Sequence, residues 1–133
     1  MERGPQLQEV RTKFTPTQSA QIEALDQALH GFACERKRMF GAVAYFVNNN
    51  MFAGAHQNEL FLRLPADDRQ KLMQEYDEVS AFEPMPGKKM AEYVAVPDSV
   101  SSQPGMLSLW IDRSYRYASA LAPKQRKPKK ESP

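Results

Sequence analysis

The side chains best suited to chemistry in this chain are Cys34, His30 and His56. His30 and Cys34 stand four residues apart and would make a two-ligand metal clamp if a helix ran through both. Gly31 lies between them and argues for a helix end there instead. Two ligands also fall short of a normal zinc site, and neither histidine sits in an H-x-x-x-H or C-x-x-C pattern, so no metal or other cofactor is expected. Cys34 lies beside Arg36 and Lys37, a setting that lowers a thiol pKa. A small-ligand or enzymatic role near Cys34 and His56 is therefore one alternative, although nothing marks a base to pair with the thiol. Gly87-Lys88-Lys89 resembles the end of a phosphate loop, but the opening glycine would fall at position 82, which is Phe82. Asp67 with Asp68, and Asp77 with Glu78, sit beside turns or helix ends, where solvation and the helix dipole account for them. No catalytic residue is expected, and the chain reads as a non-enzyme.

The basic residues form the other chemical feature. Arg36, Lys37 and Arg38 stand in succession, and five of the 18 basic residues fall between Lys124 and Pro133, among them Arg126 and Lys127. Only one of the 16 acidic residues lies in that tail, so the rest of the chain is slightly acidic although the net charge is +2. Such clusters neutralise phosphates or simply solvate an edge. A nucleic-acid-associated transcription factor using 36–38 and the tail is the second alternative, with no helix-turn-helix or RNA-recognition motif beside it.

The elements that must carry these residues follow from periodicity. Residues 1–14 read as a flexible segment and 15–123 as one domain. Thr15-Pro16-Thr17-Gln18 is a helix start with a capping-box spacing. The stripe Ile22, Leu25, Leu29 and Phe32 predicts a helix over about 16–30, ended at Gly31. Cys34–Arg38 reads as an exposed strand, and Gly41 as a bend. Ala42–Val47 is apolar on both faces, as expected of a central strand or of one covered by a second chain. Val43, Tyr45 and Phe46 are thus the expected surface of a homodimer. Asn48-Asn49-Asn50 and Gln57-Asn58 predict turns. Met51–His56 and Glu59–Leu64 predict strands. A second helix follows Pro65, with Leu72, Met73 and Tyr76 as its buried stripe. Residues 77–90 read as an irregular, tightly packed connection, and Met90–Val96 as a strand stopped by Pro97. The last helix begins near 102–104, with Leu107, Trp110, Ile111, Ser114, Ala118 and Leu121 inward. Trp110 is expected to anchor the core. The Lys/Pro-rich stretch 124–133 has no apolar stripe and reads as a disordered basic tail. The order predicts an α+β domain in two layers: three helices over a mostly antiparallel sheet of about five strands, α-β(3–4)-α-β(1–2)-α.

Composition is that of a globular protein, 41% hydrophobic and 26% charged over 133 residues. The longest apolar stretch, 39–47, is too short to cross a bilayer, which needs about 20 residues. With one cysteine and no secretory signal, a cytoplasmic location is expected.

An ordered set of motifs then points to a family. Arg38-Met39-Phe40-Gly41, Met51-Phe52-Ala53 and Leu60-Phe61-Leu62-Arg63 come first. Phe82-Glu83-Pro84-Met85-Pro86-Gly87, Glu92-Tyr93-Val94 and Leu109-Trp110 follow in order, closed by Pro123-Lys124. Together, over roughly 17–124, they resemble the N-terminal domain of the TfoX/Sxy family. In that resemblance Met39, Phe40, Gly41 and Trp110 are structural motif residues, and the motif is not a catalytic signature. It implies a small α+β domain arranged like secretion chaperones, often dimeric. Full-length members regulate competence genes at promoters with the cyclic-AMP receptor protein and carry a second helical domain. Here ten residues remain after Pro123, so the resemblance implies a stand-alone N-terminal-domain protein. The expected function is a non-enzymatic regulatory or adaptor protein. It would work through contacts with an unidentified protein partner and act in transcriptional regulation, away from any membrane.

Overall fold

Thr15 opens the first helix as the sequence requires. Its Oγ1 accepts the Gln18 backbone N–H at 3.0 Å, and Pro16 takes the first helical position of α1 (Pro16–Ala28). The Gln18 side chain does not close the capping box. It reaches instead to the Gly41 carbonyl at 2.8 Å and the Ala55 carbonyl at 3.4 Å. Gly31, at φ +93°, turns the chain out of the helix. The computed structural model describes residues 14–39 and 41–124. The expectations for 1–13, for Phe40 and for the tail from 125 on, including Arg126 and Lys127, lie outside the described residues.

Four strands follow in a meander: β1 (Glu35–Met39), β2 (Ala42–Val47), β3 (Asn50–His56) and β4 (Glu59–Arg63). Gly41 at φ +75° makes the first reversal. Asn48 and Asn49, at φ 53° and 64°, make the second as a two-residue turn, the geometry asparagine tolerates best after glycine. Next come α2 (Ala66–Glu75), β5 (Ser80–Ala81), β6 (Tyr93–Pro97), α3 (Asp98–Ser101) and α4 (Met106–Ser119). One six-stranded sheet results, ordered β1-β2-β3-β4-β6-β5 and antiparallel at every pairing. No helix among the described residues is long and apolar enough to cross a membrane.

The α+β class and antiparallel sheet are as expected; the counts are not. The sixth strand, β5, spans two residues and is too short to show a period. The fourth helix among the described residues, α3, is a single turn that Pro97 caps, so the proline that stops β6 also starts a helix. In α2 only Leu72 is buried; Met73 is exposed and Tyr76 half-buried. The connection 82–90 is not tightly packed either: Phe82 is buried, but Met85–Lys89 stand in solvent.

Pleating divides the sheet into two unlike faces. Val43, Tyr45, Val47, Ala53, Ala55, Leu60, Leu62, Val94 and Val96 face the helices, where Leu25, Trp110, Ile111 and Ala118 complete the main core. A bulge between Tyr45 and Phe46 adds Phe52 to this side, and the buried Ser114 hydroxyl donates to the Phe52 carbonyl at 2.7 Å. The other face has a smaller core of Ala44, Phe61, Phe82, Tyr93 and Ala95. Phe61 stacks on Phe82 with centroids 4.6 Å apart. Phe61 also lies over Gly54, where an added Cβ would stand 2.3 Å from the ring and 2.6 Å from the Val43 carbonyl oxygen. Gly54→Ala is therefore expected to destabilise the fold by about 1–3 kcal/mol through overpacking, read as a lower urea midpoint with the slope unchanged.

Candidate functional site

β1 carries Arg36, Lys37, Arg38 and Met39 of the residues that the sequence singles out. Its register places Arg36 opposite Tyr45 and Arg38 opposite Val43, so both arginines lie on the helix-covered side. Lys37 and Met39 lie on the other, opposite Ala44 and Ala42. The Lys37 ammonium sits 4.8 Å from the Phe46 ring centroid, and the Arg38 guanidinium 4.9 Å from that of Phe14. Phe14, assigned by sequence to the flexible segment, packs against the main core. Three cations thus share one exposed edge but divide between its faces.

Asp26, on α1, ties this edge to the core. The Tyr45 hydroxyl donates to Asp26 Oδ1, and Arg36 Nε approaches the same oxygen at 3.8 Å. Burial first, then the hydrogen bond to Asp26, hold the Tyr45 phenol above its ordinary range. It therefore remains a donor at neutral pH. Cys34 behaves contrary to expectation. Burial, then the negative charge of Asp26, push its thiol above the usual value, so Arg36 and Lys37 do not activate it.

Cys34 and His56 do not meet. Cys34 precedes Glu35, which pairs with Phe46, whereas His56 pairs with Ala42 at the opposite end of β2. No group of three or more His, Cys, Asp or Glu side chains converges among the described residues. His56 turns its ring edge to Phe82 at 5.7 Å, and its Nδ1 is buried without a hydrogen-bond partner. Glu59 faces it across the β3–β4 turn, and burial raises the Glu59 carboxyl above its usual pKa against the opposing pull of His56.

The proposed dimer residues separate as well. Val43 and Tyr45 are buried in the chain's own core, which removes them from any outer surface. Phe46, on the opposite face, is only half-buried. The two-sided apolarity of β2 is met inside the chain by helices on one face and, at Ala44, by the cluster of Phe61 and Phe82 on the other, while Phe46 is only partly covered. Trp110 is buried as read, with the Arg113 guanidinium 5.2 Å from its ring centroid.

The asparagine turn has a second task that its sequence did not announce. The Asn48 carbonyl accepts the Lys124 N–H at 2.9 Å. The Asn49 and Asn50 amides donate to the carbonyls of Lys124 and Ala122 at 3.0 and 3.1 Å. The turn thereby clasps residues 122–124 at the corner where β1 begins. Glu35, Cys34, Asn48, Tyr115 and Pro123 line one cleft of about 650 Å³ there. Lys124 is brought to the same corner as the basic strand. Asp26 and this clasp are the positioning features that sequence reasoning missed. Asp26, like Glu23 on the same helix, is an acid bordering an apolar stripe, and a run of asparagines signals only a turn.

Two measurements check these electrostatics. Asp26→Asn is expected to shift the pH midpoint of Cys34 alkylation downward, because a negative charge that disfavours thiolate is removed. Glu59→Gln is expected to raise the melting temperature at pH 7. A carboxyl with a raised folded pKa contributes stability below its unfolded pKa and loses it as pH rises through the folded value. The gain from the neutral side chain should therefore vanish in melts taken well below pH 4.5, the carboxyl's ordinary value.

Residues 26–118 match the family model described as the TfoX N-terminal domain. The match runs from the last turn of α1 through all six strands into the last turn of α4. No curated protein and no solved structure gives a match. With most of the chain covered by that match, the chain belongs to the TfoX N-terminal domain family.

Proposed function

We propose that this chain is a non-enzymatic regulatory or adaptor protein that works through protein–protein contacts, assembles as a homodimer and acts in transcriptional regulation. Family membership supports the regulatory part. The observation that carries the contact reading is the unequal cover of the two sheet faces. Helices pack over one face, whereas on the other the aromatic cover stops at Phe61 and Phe82. Met39 remains 40% exposed at one end of the β1–β2 pair, and Phe46 and Met51, which pair across β2 and β3, are half-buried on the same face at the other end.

A second copy suits this strip. Glu35 and Lys37 border it on the same face of β1. A two-fold contact sets each patch against its own counterpart, and a rim bearing both signs can then pair with itself around an apolar centre. The proposed place of action is the cytoplasm, on the strength of a single, unpaired Cys34.

Sedimentation equilibrium at micromolar concentration is expected to give a dimer, and Phe46→Glu a monomer with an unchanged circular dichroism spectrum. A wild-type monomer under those conditions would refute the homodimer.

A further inference from the structure

Among the described residues β1 is the outermost strand on its side of the sheet, paired with β2 alone, and all five of its residues are exposed. In an antiparallel pair every second residue directs its N–H and C=O away from its neighbour strand. β1 therefore presents an open ladder of backbone groups. The opposite edge, β5, is two residues long and presents almost none.

Open edges invite pairing, and proteins blunt them with charge. Here Arg36, Lys37 and Arg38 do so against a specific competitor, the same strand of another copy. Two β1 strands paired antiparallel about Lys37 would set Lys37 against Lys37 and Arg36 against Arg38. Like charges directly opposite one another destabilise a sheet. The same charges favour a strand of opposite sign.

The register adds a pattern. Arg36 and Arg38 share the helix side, while Lys37 and Met39 share the other side with Phe46. On an added strand, residues facing Arg36 and Arg38 would be two apart. The residue between them would point to the side of exposed Met39 and the half-buried Phe46 ring. Asp26 engages Arg36 only at 3.8 Å between side chains 43% and 54% exposed, an ion pair weak enough to be shared.

We propose that the β1 edge takes up an extended segment of a partner protein that alternates acidic with apolar residues, adding it to the sheet as a further strand. Backbone hydrogen bonds supply affinity and the alternating side chains supply selectivity. The inference rests on the adaptor reading and names the chemistry of its partner. It uses the edge of the sheet, whereas the homodimer uses the face.

The test is fluorescence anisotropy of the full chain with a labelled peptide of about ten residues alternating Glu and Val. A Lys/Val counterpart, a Glu/Val peptide N-methylated at alternate amides and a short DNA duplex serve as comparisons. The acidic peptide is expected to bind at least about tenfold more tightly than the other three, and more weakly as salt rises. The double substitution Arg36→Glu/Lys37→Glu lies on an exposed strand and should fold normally by circular dichroism. It is expected to lose at least about tenfold in affinity for the acidic peptide. The backbone amides of Glu35–Met39 should gain protection from hydrogen exchange when that peptide binds. Equal binding of the N-methylated peptide would overturn the proposal, since charge without strand pairing would then suffice. So would unchanged affinity in the double variant, or tighter binding of the duplex through the same residues. A monomeric chain that still takes up the acidic peptide supports this proposal and refutes only the homodimer; a dimer indifferent to the peptide overturns this proposal alone.

Discussion

Phe61 lies across Gly54 and stacks beneath Phe82, and much of the second face depends on that contact. A sheet with helices on one side leaves its other side wet unless something covers it. Here the cover comes from within the sheet and from one loop residue. Gly54 has no Cβ, so the Phe61 ring can come close over β3 and pack with Ala44 of β2. Phe82 then closes over it at 2% exposure, and Tyr93 packs beside it, with its hydroxyl donating to the Met51 carbonyl at 2.7 Å. Among the described residues the result is a thin second core with no second layer of helices over it. Its reach is limited to the length of those rings, which is why Met39, Phe46 and Met51 near β1 stay partly exposed.

Polar contacts fix the ends of the meander in a similar way. Gln18 and Gln21 are buried on α1 and bind main-chain carbonyls at the turns: Gln18 at Gly41 and Ala55, Gln21 at Asn58. At the other end of the strands the asparagine turn holds residues 122–124. A buried amide without a partner is costly, so these side chains specify where each turn must sit as well as stabilising it. Tyr45 and Asp26 tie α1 directly to β2. The sheet is held in register at both ends, and β1 is left as the strand with most of its surface in water.

That exposure is managed by charge. Three cations in succession make β1 a poor partner for itself while leaving its backbone open. The chemistry of the strand is therefore one of selection between partners. No convergence of nucleophile, base and ligand accompanies it among the described residues, and the thiol nearest to it is held protonated by burial and by Asp26.

Much of this could be read from sequence wherever the signal is local. The Thr15-Pro16 helix start, the turns at Gly31 and Asn48-Asn49, the alternation of β4, the two-sided apolarity of β2 and the family motifs all depend on residues close together in the chain. They determined the class, the antiparallel order and the family. Tertiary structure decided what faces what. Whether the outer side of Ala44 on β2 is covered from within depends on Phe82, far along the chain, stacking on Phe61. Whether Cys34 is activated depends first on its burial and then on Asp26 from a different element. Whether His56 and Cys34 form a site depends on which end of β2 each one reaches. Periodicity says that a residue is buried or exposed; only packing between distant segments says against what.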